Sequence, residues 1–432
     1  MSIPISCSEC FWEAKVPGQY AGKVVKCKEC GARVPVRTPG SVKRSSSKQP
    51  SKVKSAPPGR PKKVSAPQKR SRKRKKQADE PWHSPQKLLG LVLAVLLTIG
   101  GLVVRVAVRH MARNRNANAA QAATVEEITQ EAWTPFPLAS VRPFPVSDFV
   151  PERGDHPVYG ERESVDSDLY DAYHGVYRAR DGRAHGAKLE LYTLIPKGGH
   201  EPHSLPCVLV APAGTNMLTG TTAGPGDHPE AAPYAEAGMV VVFYSIADRD
   251  MPDDPTNAQL RMGYQEFKGN MAGLIPARNA LEFALHKIPE VDPDLIYSAG
   301  HSSAGTLSLL FAEHEPRLAG SIAYAVQVDV NGALGEIVAE PDVCALLPGI
   351  RDFVIRSSPK THQDRITKPV YLFHALDDSI VPNGDARYLY DALRRRNIDV
   401  TYDTVPHGDH YFPMIEEGIP NGIRWIQRHS KR

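Results

Sequence analysis

From about residue 135 to the C-terminus, apolar runs of four to eight residues alternate with longer amphipathic stretches. Lys188–Leu194, Cys207–Ala211, Met239–Tyr244, Leu295–Ala299, Ala319–Ala325, Val370–His374 and Asp399–Val405 read as strands. Gly269–His286, Gly305–Glu313 and Asp385–Arg396 read as helices between them. Strands alternating with helices predict an α/β fold, a mostly parallel sheet covered on both faces. The strands lack strict polar alternation, as burial on two sides requires.

The pattern is different upstream. Leu88 to Val104 is seventeen residues without a charge, and Arg105 to Val108 continue it. That length is short for crossing a hydrocarbon core, but Arg105 can snorkel to extend it. We therefore expect a transmembrane helix over 87–108, followed by a spacer over 109–134. Residues 38–86 are Ser, Pro, Lys and Arg with few large apolar side chains. They cannot bury enough surface to offset ordering, and are expected to form a disordered basic linker.

Residues 1–37 carry four of the six cysteines, as Cys7-x-x-Cys10 and Cys27-x-x-Cys30 with sixteen residues between the pairs. Two such knuckles offer four thiolates, the set for a structural zinc ion. In so short a segment the metal would supply most of the folding energy. The segment resembles the short zinc-ribbon modules that begin many bacterial proteins.

The 432 residues have a formal charge of +5, which conceals a segregation. Residues 1–40 carry +3, 41–87 carry +14, 88–134 carry +1, and 135–432 carry −13. The basic total is thus a property of the linker and says nothing about a substrate. Eight Lys/Arg between Lys69 and Lys87 precede the apolar segment, and four (Arg105, Arg109, Arg113, Arg115) follow it. The positive-inside bias places the N-terminus in the cytoplasm and the large C-terminal domain outside, in a single-pass membrane protein. A basic run so close to an apolar span is explained by the membrane surface, and nucleic acid is not the expected partner.

The C-terminal region carries the chemistry. Leu295–Gly305 reads strand, sharp turn, helix, with Gly300-His301-Ser302-Ser303-Ala304 at the turn. A nucleophile elbow needs small residues two before and two after its serine. Ser302 has Gly300 and Ala304 there, whereas Ser303 would put His301 in the crowded position. Downstream, Asp378 lies in the loop after the Val370–His374 strand, with Asp377 as its rival. His410 lies in Pro406-His407-Gly408-Asp409-His410-Tyr411-Phe412, after the Asp399–Val405 strand. All three follow the C-terminal ends of expected parallel strands, the edge where open α/β sheets gather functional groups. The order Ser, Asp, His is that of α/β-hydrolases.

On these residues the chain from about 175 onward resembles an α/β-hydrolase of the dienelactone hydrolase and prolyl-oligopeptidase catalytic-domain type. The family's acid lies in a His-Gly-x-x-Asp-x-x-Val-Pro stretch. His374–Pro382 fits it with Ala375 in place of Gly. The family's histidine lies in a Gly-x-His-x-Phe stretch, which Gly408–Phe412 fits. The resemblance implies Ser302 as nucleophile, His410 as base and Asp378 as orienting acid, with no catalytic cofactor. Ser303 and Gly214 are the expected oxyanion donors. Gly214 lies in Ala211-Pro212-Ala213-Gly214-Thr215, where Pro212 and Ala213 depart from the His-Gly-Gly type of loop.

Two function classes follow. One is a membrane-anchored serine hydrolase, a carboxylesterase or prolyl-oligopeptidase-like peptidase, acting on a small ester, amide or peptide. The other is a weak or inactive hydrolase-fold binding protein whose ribbon and linker engage a cytoplasmic partner or nucleic acid. No 40-residue repeat is present, so a propeller gate is not expected. His200 and His203, and the cluster Asp248, Asp250, Asp253 and Asp254, read as loop polarity. Cys207 reads as core, although an exterior location would permit a Cys207–Cys344 disulfide. The region between Ala325 and Ile366 is a candidate lid.

Overall fold

The computed structural model describes residues 2–6, 13–17, 23–26, 33–35, 127–165, 167–179, 188–215, 217–224 and 228–431. The chain divides into two units, 1–91 and 92–432. The four ribbon cysteines, the linker, the expected transmembrane helix and most of the spacer lie outside the described residues. No described helix is long and apolar enough to cross a membrane.

The N-terminal unit contains two antiparallel pairs, β1 (Ser2–Ser6) with β2 (Glu13–Pro17), and β3 (Val24–Lys26) with β4 (Arg33–Pro35). In the sequence, Cys7 and Cys10 fall between the paired residues Ser6 and Glu13. Cys27 and Cys30 fall between Lys26 and Arg33.

The second unit is built on a nine-stranded sheet. Its strands are β5 (Glu161–Arg162), β6 (Tyr170–Arg178), β7 (Lys188–Pro196), β8 (Leu205–Val210), β9 (Val240–Tyr244), β10 (Val291–His301), β11 (Gly320–Tyr324), β12 (Val370–Ala375) and β13 (Val400–Val405). Across the sheet they run β13-β12-β11-β10-β8-β9-β7-β6-β5. Neighbours from β9 to β13 are parallel, and β7, β6 and β5 complete the sheet antiparallel. The helices are α1 (His228–Glu236), α2 (Asn257–Gly269), α3 (Leu274–Lys287), α4 (Ser303–His314), α5 (Val330–Val338), α6 (Pro341–Leu346), α7 (Ile350–Arg356), α8 (Pro359–His362), α9 (Gly384–Arg395) and α10 (Ile419–His429).

Period-two side-chain placement divides the central strands between two cores. Cys207, Leu209, Val240, Val242 and Ile296 pack with Leu281 and Phe283 of α3 and Leu310 of α4. Val208, Val210, Val241, Phe243 and Tyr297 pack with Tyr234 of α1 and Trp425 and Ile426 of α10. Both faces are therefore covered, as the unalternating strands require. Every residue of α4 is buried, which explains why it is not amphipathic.

The sheet order has a functional consequence. From β8 the chain moves outward to β9, then crosses back over β8 to β10. The connections leaving β8 and β10 diverge, and open a crevice at their C-terminal ends.

Three features depart from the sequence reading. Gly269–His286, expected as one helix, is the end of α2 and most of α3. Met271, Ala272 and Gly273 separate them in left-handed conformations, with φ of 53°, 56° and 91°. The expected lid is four short helices, α5 to α8, whose Val330, Val338, Ile350, Phe353 and Val354 belong to the main core. Arg261 and Lys268 of α2 bond the carbonyls of Leu346 and Pro348 in this segment. Residues 129–134, assigned to the spacer, pack on α7: Thr129 bonds Asp352, and Arg356 bonds Glu131 and the Thr134 carbonyl. Cys207 and Cys344 are both free and buried, so no disulfide joins them.

Candidate active site

β10 ends at His301 and α4 begins at Ser303, which leaves Ser302 as the whole turn. Its φ of 54° and ψ of −119° lie where non-glycine residues rarely go. The turn is held by the Ser302 N–H, which donates to the Tyr324 carbonyl at 2.8 Å across the β10–β11 edge. A Cβ on Gly300 would lie 2.4 Å from the backbone of Ala304, so that position requires glycine. Such strain persists only where surrounding structure imposes it, and it gathers at functional sites.

Asp378 follows β12. Its side chain is fully buried. One carboxylate oxygen accepts the N–H groups of Ile380 and Val381, each at 2.9 Å. The other lies 2.8 Å from His410 Nδ1 and 3.1 Å from His374 Nε2. Burial pushes this carboxyl upward, but the bonds from His374 and His410 outweigh it and hold it well below the usual range. Asp378 is therefore an anion, and the His410 Nδ1 proton is directed at it. The neutral ring then presents Nε2 as an acceptor; this atom is buried and has no protein hydrogen-bond partner.

Asp377, the rival acid, does something different. It accepts the N–H groups of Gly408 and Asp409 at 3.2 and 3.0 Å and faces the exposed His407 at 3.4 Å. Asp409 answers with Oδ1, which accepts the N–H and hydroxyl of Ser379 at 2.9 and 2.8 Å. The loops after β12 and β13 are thus clasped in both directions around the Asp378–His410 pair. Asp409 sits at a φ of 62° to make this bond.

His301 ties the strand that leads to Ser302 to the same loop. Its Nε2–H donates to the His410 carbonyl at 3.0 Å, and the two rings lie 4.6 Å apart. Burial, followed by the proximity of His410, pushes His301 down to about 3, so it stays neutral and keeps this donor. His301, His374, Asp409 and Ser379 are contributors that the sequence did not single out. His301, Ser379 and Asp409 are sequence neighbours of the three chosen residues, and His374 is the first residue of the His374–Pro382 stretch.

Of the expected oxyanion donors, Ser303 is the first residue of α4, where no earlier helical carbonyl exists to take its N–H. Gly214 follows β8 at a φ of 89°. The next residue, Thr215, uses its N–H on the Ser303 hydroxyl at 3.1 Å, which pins this loop beside the elbow.

Two residues of the other polar clusters make structural bonds. Asp250 accepts from Thr221 and Thr222, and His203 bonds the Val291 carbonyl. Among the described residues no group of three or more His, Cys, Asp or Glu could hold a metal ion.

Residues 227–421 match the model of the dienelactone hydrolase family, a span that contains Ser302, Asp378 and His410. No curated protein matches the chain. Among solved structures, an acetyl xylan esterase from a Paenibacillus species is similar at 16% identity and a TM-score of 0.46. The match covers 65% of this chain and 98% of that one. A Pyrococcus horikoshii acylaminoacyl peptidase is similar at 14% identity and a TM-score of 0.42, over 61% of this chain and 41% of that one. A puromycin-hydrolyzing peptidase from Mycobacterium tuberculosis is similar at 17% identity and a TM-score of 0.46, over 62% and 41%. The sheet order, the strained elbow and the family match identify the C-terminal domain as an α/β-hydrolase, and the chain as an enzyme of the serine hydrolase class.

Proposed function

We propose that the chain hydrolyses an ester or amide bond through an acyl-enzyme on Ser302. The observation that carries this reading is the 2.8 Å bond between buried Asp378 and His410, which leaves Nε2 of His410 bare at the strand edge that presents Ser302. His410 Nε2 takes the Ser302 hydroxyl proton as Oγ attacks the carbonyl carbon. The oxyanion is received by the N–H of Ser303 and by a donor from the loop at Gly214. Collapse breaks the bond to the leaving alcohol or amine, which takes the proton from His410. Water, deprotonated by the same nitrogen, then releases the carboxylic acid and restores Ser302. Asp378 orients the imidazole and stabilises its charged form throughout.

A fluorophosphonate probe tests the assignment: wild type should label and Ser302→Ala should not. Equal labelling of the two proteins removes Ser302 from the mechanism.

The setting of the enzyme is proposed from the charge and cysteine patterns. Leu88–Val104 would anchor it with the hydrolase outside the cytoplasm, and cysteine accessibility on either side of that segment tests the orientation. Cys7, Cys10, Cys27 and Cys30 would hold one structural zinc. Two hairpins whose paired ends flank the two cysteine pairs suit that donor set. One zinc per chain, lost in Cys27→Ser, is the expected metal content.

A further inference from the structure

A cavity of about 20 Å³ lies between the loop after β8 and the first turns of α4. Thr215, Ser303, Thr306 and Ser357 form its polar side, and the Ser357 hydroxyl donates to the Phe353 carbonyl at 2.8 Å. Thr215 N–H donates to Ser303 Oγ, and Thr215 Oγ1 accepts the Met217 N–H at 3.3 Å. Thr306 Oγ1 donates to the Gln327 carbonyl at 2.7 Å and reaches the Ser302 carbonyl at 3.4 Å. The remaining wall is apolar, including Met217, Ile246, Phe267, Ala272, Leu307 and Leu310.

A space of this size holds one water or one methyl-sized group. A buried water needs two to four polar partners, and each hydroxyl of this wall already holds a bond to protein, while most of the lining is apolar. An apolar occupant suits it better. The wall is also built at a cost. Ala272 is the middle of the three successive left-handed residues that break α2 from α3. A Cβ on the third, Gly273, would lie 2.7 Å from Leu307 Cδ2. Strain of this kind gathers where a ligand is held.

The cavity is lined by Ser303, the residue after Ser302, by Thr215 of the loop beside the elbow, and by Thr306, whose hydroxyl reaches the Ser302 carbonyl at 3.4 Å. A tetrahedral centre on Ser302 Oγ has three other substituents. The oxyanion belongs at the amide donors and the leaving group within reach of His410, which leaves the acyl substituent. We infer that this cavity receives the acyl substituent and admits only a methyl-sized one, so that the enzyme removes acetyl groups in preference to longer acyl groups. The inference rests on Ser302 as nucleophile.

The test measures kcat/KM on 4-nitrophenyl acetate, butyrate and octanoate. Acetate should exceed butyrate by at least about tenfold, since each ill-fitting methylene costs a factor of that order. Enlarging the wall with Leu307→Ala, or more mildly with Phe267→Leu, should raise the butyrate-to-acetate ratio at least about fivefold. A thermal melt of each variant shows that it is folded. Butyrate turned over as fast as acetate, or a ratio unmoved in both folded variants, overturns the cavity assignment. So does labelling of Ser302 by fluorophosphonate without hydrolysis of any of the three esters. Ser302→Ala separates the two ideas. Activity that survives it sinks the nucleophile and the cavity together, whereas activity lost in it with an unmoved ratio sinks the cavity alone.

Discussion

His374 Nε2 lies 3.1 Å from the same Asp378 oxygen that binds His410, and 2.8 Å from the Val381 carbonyl. His374 is wholly buried at the end of β12, and its Nδ1 has no hydrogen-bond partner. One N–H is therefore shared between the carboxylate and a carbonyl of the same loop. That makes His374 a positioning residue, acting on His410 only through Asp378. A hydrogen bond to a charged group contributes about 1.5–3 kcal/mol. His374→Ala should lower kcat/KM by at least about tenfold. With one donor fewer, the Asp378 carboxylate attracts the His410 proton more strongly, so the acid limb of the kcat/KM profile should move to higher pH. A loss of rate with the limb unmoved would assign His374 to packing alone.

The two adjacent aspartates should separate cleanly. Asp378 touches the His410 ring, and Asp377 touches only His407 and the backbone of Gly408 and Asp409. Asp378→Asn removes the charge that fixes the imidazole, and kcat should fall by about 10³–10⁴. Asp377→Asn keeps one acceptor for the loop amides and should cost less than about tenfold, near the worth of a single hydrogen bond. Steady-state kinetics on one ester decides this, and the reverse ranking would move the acid to Asp377.

The sequence revealed the proposed triad more readily than what holds it. Ser302, Asp378 and His410 each lie in a turn just beyond a stretch that reads as a strand, so their edge can be inferred from local pattern. The bonds from Asp377 to Gly408 and Asp409, and from Asp409 to Ser379, join loops about thirty positions apart, where no short-range pattern registers. The break at Met271–Gly273 is hidden for another reason. Met and Ala are ordinary helix formers, and the close approach of Gly273 to Leu307 and Ile246 is a long-range contact that no local pattern registers. Tyr170–Arg178 escaped because Gly175 interrupts its alternation. That glycine is required by close approach, since a Cβ there would meet the Tyr177 hydroxyl at 2.4 Å.

Glu313 is a costly polar group in the core. It lies on α4 with both carboxylate oxygens buried and unpartnered, while Arg365 bonds only its backbone carbonyl. Burial, only partly offset by Arg365, pushes its acid well above the usual range, so the folded protein holds the proton. With the folded value raised, the favourable contribution is complete below the unfolded carboxyl range near pH 4. It declines as pH rises toward the folded value. Glu313→Met removes that penalty. Its Tm should exceed that of wild type, by a margin that widens from pH 5 to pH 8. A constant margin across that range would mean that Glu313 is not protonated in the fold.

The segment before β5 is as much a part of the domain as its helices. Phe136, Leu138, Phe144 and Phe149 are all buried in the main core. Phe136 N–H donates to His314 Nε2 at 3.1 Å, Phe144 N–H to Asn279 Oδ1 at 2.9 Å, and Arg278 bonds the Leu138 carbonyl. The Arg356 guanidinium lies 4.7 Å from the centre of the Phe136 ring. Burying each large apolar side chain contributes about 1.5–3 kcal/mol, so four of them rival the 5–15 kcal/mol that a domain has in total. A chain starting at residue 127 should keep the Tm and activity of the full protein, and one starting at residue 150 should be largely unfolded. The His314 tie adds a pH dependence. Burial pushes His314 down to about 4, and protonation of Nε2 would displace the Phe136 N–H. Its contribution is then complete above the unfolded histidine value near 6.5 and is lost as pH falls toward 4. Between those values the amides of residues 129–144 should lose hydrogen-exchange protection ahead of β8 to β12. Exchange that rises together in both would show that the segment and the sheet open as one.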